Sequence, residues 1–210
     1  MTINKEKETS VHVGPVVKVI NLYYCAPHTI NLQINTDKGA TYDGNGRRRF
    51  YIKSPPLTLH DRCLLCDDAG NPVVTLYWKI MTIHRRCQVF SGESNDSSEL
   101  LFSVKKSKLL QSGVMRLDVF LANNKKESEC DFRVNVVSGK RSCHVYAGES
   151  PTVVASMENN GGFNVFVYRN VDYAFIVALL MIVKDITFSY DEALKFAKGM
   201  TPVALGNMMN

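Results

Sequence analysis

The sequence predicts a closed antiparallel β-barrel of about eleven to twelve strands that encloses one hydrophobic α-helix near the C-terminus. Two observations lead to this prediction. Ten consecutive apolar residues occupy positions 174–183, and nearly all of the chain before them divides into short strand-like segments. A helix that is apolar on every side must be covered on every side. Barrels of about eleven strands are wide enough to hold such a helix, which is about 10–12 Å across.

The apolar segment predicts a helix that is too short to span a membrane. A helix over residues 171–185 would be about 22 Å long, whereas crossing the hydrocarbon takes about 20 apolar residues. A helix lying on a membrane surface needs a polar face, and residues 174–183 have none. Asn170 is a favourable N-cap, and Asp172 and Lys184 complement the helix dipole. The predicted buried side chains of this central helix are Ala174, Phe175, Ile176, Leu179, Leu180, Ile182 and Val183.

The strand predictions rest on alternation and on turn residues. Residues 131–136 alternate strictly between polar and apolar side chains, which is the period of a half-buried strand. Clusters of Asp, Asn, Gly and Pro punctuate the chain, as at 43–46 and 67–72. The eleven candidate strands are 30–35, 49–53, 60–66, 73–78, 87–91, 100–105, 115–121, 130–137, 142–146, 152–157 and 163–168.

The chain reads as one domain, because no long linker interrupts it. We predict a flexible N-terminal segment over residues 1–22 and a barrel with its central helix over residues 23–187. A C-terminal extension over residues 188–210 follows. Within the extension we predict a short second helix over residues 191–199, which ends at Gly199, and then a loose tail.

The N-terminal sequence and the cysteine content predict the cellular compartment. The first ten residues, MTINKEKETS, contain no apolar segment of the kind found in secretory signals. Six cysteines in 210 residues are too few for a disulfide scaffold. We therefore expect an intracellular, cytoplasmic protein with reduced thiols. A net charge of +5 permits attraction to phosphates, lipid headgroups or acidic proteins without selecting among them.

Two His-x-x-Cys pairs, His60 with Cys63 and His84 with Cys87, raise a zinc hypothesis. Residues three apart on a strand point to opposite faces, so neither pair converges without a bulge. The sequence also contains neither a nucleophile elbow nor a glycine-rich phosphate loop. We therefore predict no catalytic residues, no metal site and no cofactor.

Eight blocks of the sequence form a pattern that is typical of one protein family. The blocks are YCAP (24–27), LHDR (59–62), DAGNPVVTL (68–76), HRRCQVF (84–90), LDVFL (117–121), CDFRV (130–134), RSCHVYAGES (141–150) and NVDYAFI (170–176). Together they resemble the plant LURP-one-related family, which is part of the tubby C-terminal-like superfamily and is related to phospholipid scramblases. This resemblance implies a twelve-stranded barrel around a central hydrophobic helix.

The sequence departs from the family pattern at residues 158–162. The family has a longer segment there, by about the length of one strand. Because we find eleven candidate strands and not twelve, we interpret the short segment as a lost strand near the helix.

The resemblance also implies a ligand, since tubby domains hold phosphoinositide headgroups with lysines and arginines on the barrel wall. The candidate headgroup residues in this sequence are Lys105, Lys106, Lys108, Lys140 and Arg141. Basic runs at strand ends are equally typical of solvated surface.

The function that the sequence favours is a non-enzymatic binding or membrane-tethering module without a transmembrane span. The resemblance implies a plant stress or defence role and an anionic phospholipid or membrane surface as partner. A scramblase-like lipid-active protein is one alternative, but it would require a membrane anchor. A nuclear, transcription-associated regulator is another, although DNA binding favours a denser basic face than a charge of +5 supplies.

Overall fold

The computed structural model describes residues 15–35, 39–53, 62–79, 86–107, 114–137, 142–159 and 163–199. Its strands are β1 (Ile30–Asn35), β2 (Ala40–Asp43), β3 (Arg48–Lys53), β4 (Arg62–Asp67), β5 (Pro72–Lys79), β6 (Arg86–Ser91), β7 (Leu100–Lys106), β8 (Val114–Leu121), β9 (Phe132–Val137), β10 (Ser142–Ala147), β11 (Val153–Asn159) and β12 (Phe163–Val167). One α-helix, α1 (Tyr173–Gly199), follows them. Two short 3₁₀ turns lie at Leu22–Tyr24 and Ser97–Glu99.

The strands form one closed antiparallel barrel in which each strand pairs with its neighbours along the chain. The barrel closes where β1 meets β12, with Ile30 opposite Val167 and Ile34 opposite Phe163. This architecture confirms the predicted fold class.

The strand count corrects one prediction, because the described residues form twelve strands and none is lost near residues 158–162. β11 and β12 pair directly, with Asn159 opposite Phe163. The strand that we failed to predict is β2, Ala40–Asp43. Four residues are too few to show an alternating pattern, and β2 is recognisable only by its pairing with β1 and β3.

The barrel encloses α1 as predicted. Every residue from 174 to 183 is at most 9% exposed, and the predicted core side chains of the helix belong to one cluster with the inward-facing strand residues. The ring of Phe175 lies 5.0 Å from those of Phe102 on β7 and Phe132 on β9, measured between centroids. The helix therefore supplies the central layer of the core.

The helix gives the barrel two distinct ends. At the upper rim, where α1 begins, the ring centroid of Tyr173 lies 5.8 Å from that of Phe50, near the start of β3. At the lower rim, where α1 leaves the barrel, the charge of Asp185 helps to raise the pKa of two thiols. These are the thiols of Cys63 and Cys87, near the starts of β4 and β6. Because consecutive strands are antiparallel, each odd-numbered strand ends at the lower rim and each even-numbered strand ends at the upper rim.

The helix is longer than we predicted. We expected the central helix to end near Asp185 and a separate helix to follow at 191–199, but α1 is continuous from Tyr173 to Gly199. No proline or glycine interrupts residues 185–198, so nothing local breaks the helix. Lys184 and Asp185 are the first exposed residues of the helix, and Ile186 after them is still buried in the core. At 1.5 Å per residue α1 is about 40 Å long, while the eight-residue strands reach only about 26 Å.

Asp172 anchors the start of the helix. The residue is fully buried, and its Oδ1 accepts a hydrogen bond from the backbone N–H of Phe175 at 3.0 Å. Asp172 is therefore the N-cap of α1. Asn170, which we had predicted to be the cap, instead adopts a left-handed conformation with φ of 62° in the turn before it.

The same carboxylate binds the N-terminal segment. Oδ2 of Asp172 accepts the backbone N–H groups of Val19 at 3.3 Å, Ile20 at 2.6 Å and Asn21 at 3.0 Å. Val17 also pairs with the chain before the helix, since its N–H donates to the carbonyl of Asn170 at 2.8 Å. Residues 15–22 are thus attached to the barrel, which differs from the flexible segment predicted through residue 22. Burial raises the pKa of Asp172, and the backbone hydrogen bonds oppose that rise.

Leu180→Asp places an unpaired carboxylate at a position that is 3% exposed inside the barrel. We expect insoluble protein, because a buried charge without a partner is strongly destabilising. The soluble fraction after expression and a thermal melt followed by circular dichroism measure the effect. Leu180→Met conserves volume and should cost less than about 1.5 kcal/mol. A soluble Leu180→Asp protein that melts cooperatively would contradict the enclosed helix.

Asp172→Ala removes the acceptor of four backbone N–H groups. Each unsatisfied buried donor costs about 1–3 kcal/mol, so we expect the free energy of unfolding to fall by at least about 3 kcal/mol. Urea denaturation measures that loss, and hydrogen exchange should show the amides of residues 19–21 losing protection. Asn21→Ala, which removes only an exposed cap of the 3₁₀ turn, should cost no more than about 1–2 kcal/mol. Equal losses in the two variants would show that Asp172 is not the anchor.

Candidate anion-binding site

The predicted headgroup residues belong to strands that are neighbours in the barrel. Lys105 and Lys106 are the last two residues of β7, whereas Lys108, Lys140 and Arg141 lie outside the described residues. Val137, at the end of β9, is opposite both Val114 on β8 and Ser142 on β10. The ends of β7 and β9 and the starts of β8 and β10 therefore lie at the lower rim, on four adjacent strands.

Other basic residues stand at the same rim. Lys53 ends β3, Lys79 ends β5 and Arg86 begins β6. Lys53 and Lys184, on α1, are exposed. Two acidic residues in this region, Glu158 and Asp185, are also exposed, and a third, Glu127, lies against Arg86 and Lys105. Basic residues outnumber them, so the described part of the lower rim carries positive charge.

Arg86 and Lys105 share one acidic partner, Glu127. Arg86 is opposite Lys105 in the sheet, and both side chains form ion pairs with the Glu127 carboxylate. Lys105 Nζ lies 3.1 Å from Glu127 Oε2 and 4.3 Å from the centre of the Phe120 ring. Arg86 also donates to the hydroxyl of Ser103 at 2.7 Å. The predicted lysine thus belongs to a compact charged cluster.

The pKa of Glu127 reflects this setting. Burial alone would raise the pKa, but hydrogen bonds from Arg86 and Lys105 outweigh burial and hold it below the ordinary glutamate value. The carboxylate is therefore ionised at neutral pH and neutralises part of the basic pair.

Glu127 is one of three glutamates that upper-rim connections place against arginines on the outer wall. Glu93, between β6 and β7, lies 3.3 Å from Arg62. Glu149, between β10 and β11, pairs with Arg116 and lies 3.5 Å from Arg133. We call Glu93, Glu127 and Glu149 the wall glutamates. Their side chains are 58%, 23% and 51% exposed in that order, so Glu127 is the most enclosed.

The connections cover the outer wall where they carry these glutamates. Thr75 and Ser103 alternate with inward-facing core residues and so face outward. Both are nevertheless buried, at 0% and 3% exposure. The hydroxyl of Thr75 donates to the carbonyl of Gly92 at 2.7 Å. The wall is therefore two-layered on this side of the barrel, with polar contacts between the layers.

The cysteines at the lower rim are thiols. Cys63 and Cys87 belong to the interior of the sheet, and burial, followed by the charge of Asp185, raises the pKa of Cys63 to about 11. Neither thiol is therefore ionised near neutral pH. The histidines of the zinc hypothesis, His60 and His84, lie outside the described residues. Within the part of the chain that the structure describes, no three His, Cys, Asp or Glu side chains are grouped as metal ligands.

The upper rim differs from the lower rim because it exposes large apolar side chains. Four large apolar side chains of the described residues are exposed, and all of them flank the start of α1. They are Val16 at 49%, Leu22 at 60%, Tyr23 at 80% and Tyr168 at 45%. Exposed cations of this rim include Lys18 and Arg47.

Sequence reasoning identified Lys105 but missed its partners. Glu127 is 22 positions away from Lys105 and lies in a polar connection that gives no periodic signal. Ser103 was assigned to a strand without a role. The pairing of β6 with β7 and the fold of the β8–β9 connection, neither of which is encoded in local spacing, bring these residues together.

A family model described as LURP-one-related matches residues 30–185. The protein LURP-one-related 15 of Arabidopsis thaliana is 43% identical over 185 residues, covering 80% of this chain and 85% of the relative. Protein LURP1 of the same species is 38% identical over 185 residues, covering 80% and 89%.

An X-ray structure of a protein from Arabidopsis thaliana has a similar fold. Its TM-score is 0.68 at 44% sequence identity, and the match covers 81% of this chain and 98% of that chain. The similarity thus extends over nearly all of the solved chain, and the identity is well above the level at which a shared fold is the only inference.

Proposed function

The chain belongs to the LURP-one-related family, and we propose that it is a non-enzymatic, intracellular module that tethers to membranes by binding anionic phospholipid headgroups. The family name and the Arabidopsis relatives support a role in plant stress or defence as the setting for this activity. A tubby C-terminal-like relationship, which the twelve-stranded barrel around a helix suggests, supports headgroups as the ligand class by analogy.

The single observation that carries this proposal is the charge of the lower rim. The strand ends there place Lys53, Arg86, Lys105 and Lys106 at the same rim as Lys184 on the helix, and Glu127 neutralises only part of the charge of Arg86 and Lys105. Anionic lipid surfaces attract such clusters by about 1 kcal/mol per basic residue near the surface. Attraction of this kind acts at the membrane surface and needs no insertion into the hydrocarbon.

The structure has no helix, within its described residues, with the length and apolar character needed to cross a membrane. Tethering as we propose it needs no such helix, because the attraction is between charges at the surface. A scramblase-like activity remains the competing hypothesis for a lipid-active protein.

Vesicle co-sedimentation tests the proposal. We expect the protein to bind vesicles of phosphatidylcholine mixed with phosphatidylserine or phosphatidylinositol bisphosphate, and not vesicles of phosphatidylcholine alone. Binding should weaken as salt rises, since exposed charges are screened. Lys53→Gln combined with Lys106→Gln should lower the affinity about 30-fold, which corresponds to about 2 kcal/mol.

The control is Lys18→Gln combined with Arg47→Gln, which removes the same charge from the upper rim. We expect its affinity to stay within about twofold of the unaltered protein. Equal weakening in both double variants would point to net charge alone and count against a lower-rim site. Binding that does not depend on lipid composition at low salt would exclude the function. A mixing assay for labelled lipids distinguishes tethering from scrambling.

A further inference from the structure

We propose that Arg86 and Lys105 form a phosphate-binding site that the protein itself occupies with the Glu127 carboxylate, so that a phosphate monoester binds by displacing Glu127. The lipid form of this ligand rests on the proposed function, whereas the site itself rests on the contacts of three side chains. The Glu127 carboxylate and the phosphate ligand therefore compete for the same two cations.

The two cations are arranged for one anion. Arg86 and Lys105 are directly opposite on adjacent strands, and the two oxygens of one carboxylate satisfy both, Oε1 toward Arg86 and Oε2 toward Lys105. An arginine fork beside a lysine is also an arrangement that binds phosphate, since each oxygen can accept a charge-assisted hydrogen bond. The carboxylate therefore marks where a phosphate would sit.

Arg86 is held in place from the wall side. Its Nη2 donates to Ser103 Oγ at 2.7 Å, and Ser103 is only 3% exposed. Nε of Arg86 is buried and has no hydrogen-bond partner among the described residues. The carboxylate thus leaves part of the guanidinium without an acceptor.

The connection that carries Glu127 is organised independently of the cations. Asn124 donates to the carbonyl of Glu129 at 2.8 Å and to Asp131 at 2.9 Å. Its Oδ1 accepts the N–H of Glu127 at 3.1 Å. These contacts fix the base of the loop, so the Glu127 side chain can leave the site by rotation without unfolding the connection.

The backbone of Glu127 is in the left-handed region, with φ of 48°. A residue other than glycine is uncommon in this conformation, which carries backbone strain. The ion pairs with Arg86 and Lys105 are the contacts that this conformation makes possible. Strain of this kind is typical of residues that hold a position for function.

Flanking charge favours a ligand with more negative charge than a carboxylate. Lys125 and Lys126, immediately before Glu127, are exposed, and Asp118, which is opposite Lys105 on β8, forms an ion pair with Arg116. A phosphate monoester carries about −1.5 to −2 charges at neutral pH, against −1 for a carboxylate. The surrounding lysines therefore favour exchange of Glu127 for phosphate.

Glu127→Gln tests this inference because it keeps the size of the side chain and removes the competing charge. We measure binding of inorganic phosphate and of soluble inositol trisphosphate by isothermal titration calorimetry, and of phosphatidylinositol bisphosphate in phosphatidylcholine vesicles by co-sedimentation. We expect Glu127→Gln to bind inositol trisphosphate about tenfold more tightly than the unaltered protein. A larger gain with vesicles than with the soluble headgroup would identify a lipid as the source of the phosphate.

Glu149→Gln and Glu93→Gln are matched controls, since each removes one wall glutamate and raises the net charge equally. We expect both to leave the affinity within about twofold of the unaltered protein. Adding Arg86→Gln to Glu127→Gln should abolish the gain, with circular dichroism confirming that the double variant is folded. If Arg86→Gln unfolds the protein, Lys105→Gln in the same background serves the same purpose.

The outcomes separate this inference from the proposed function. An affinity of Glu127→Gln equal to that of the unaltered protein, or a gain that survives both Arg86→Gln and Lys105→Gln, would overturn the phosphate site. Binding of the unaltered protein to anionic vesicles would then still support tethering. A Glu127-dependent gain for the soluble headgroup without any vesicle binding would support the phosphate site and count against tethering.

Discussion

The structure depends on one constraint, which is that a helix with apolar side chains on all sides must be shielded from water on all sides. A sheet covers only one side of a helix, and a narrow barrel is filled by its own side chains. Twelve strands solve the problem by enclosing a space in which Phe175 and its neighbours replace the side chains that would otherwise meet across the barrel. The strand number and the apolar segment are therefore two consequences of the same packing requirement.

The enclosed helix also needs hydrogen-bond acceptors at its start, because its first backbone N–H groups are buried away from water. The Asp172 carboxylate accepts hydrogen bonds from backbone N–H groups of both the helix and the N-terminal segment. Helix capping and attachment of the N-terminal segment therefore depend on the same carboxylate. The segment around Ile20 could not be assigned from its own sequence, since its conformation depends on an acceptor about 150 positions away.

Much of the fold was predictable because buried faces require apolar side chains at regular intervals along the sequence. The apolar segment identified the helix and its enclosure, and alternation together with turn residues identified eleven strands. β2 escaped prediction because a four-residue strand shows no period. The end of the helix escaped because exposed Lys184 and Asp185 end the apolar surface without ending the hydrogen-bonded backbone. Sequence thus predicts where a helix is covered more reliably than where it stops.

The candidate site was predictable only on its basic side. Clusters of lysine are visible in a sequence, and Lys105 was among those selected. Its pairing with Arg86 follows from the register of β6 against β7, and its pairing with Glu127 from the path of a connection over the wall. Charged partners that are chosen by tertiary structure leave no local spacing to detect, so sequence reasoning found the cations without the anion that neutralises them.

Closure of the sheet has a consequence for how this protein can recognise other molecules. The ring of described strands runs from β1 through β12 and back without a free edge. Many domains capture peptides by extending an open sheet with an added strand, which supplies backbone hydrogen bonds of little sequence preference. That mode needs an unpaired strand, and here each strand is paired on both sides. Selectivity must therefore come from side chains and from the shape of the loops, where single substitutions can change a partner without disturbing the scaffold.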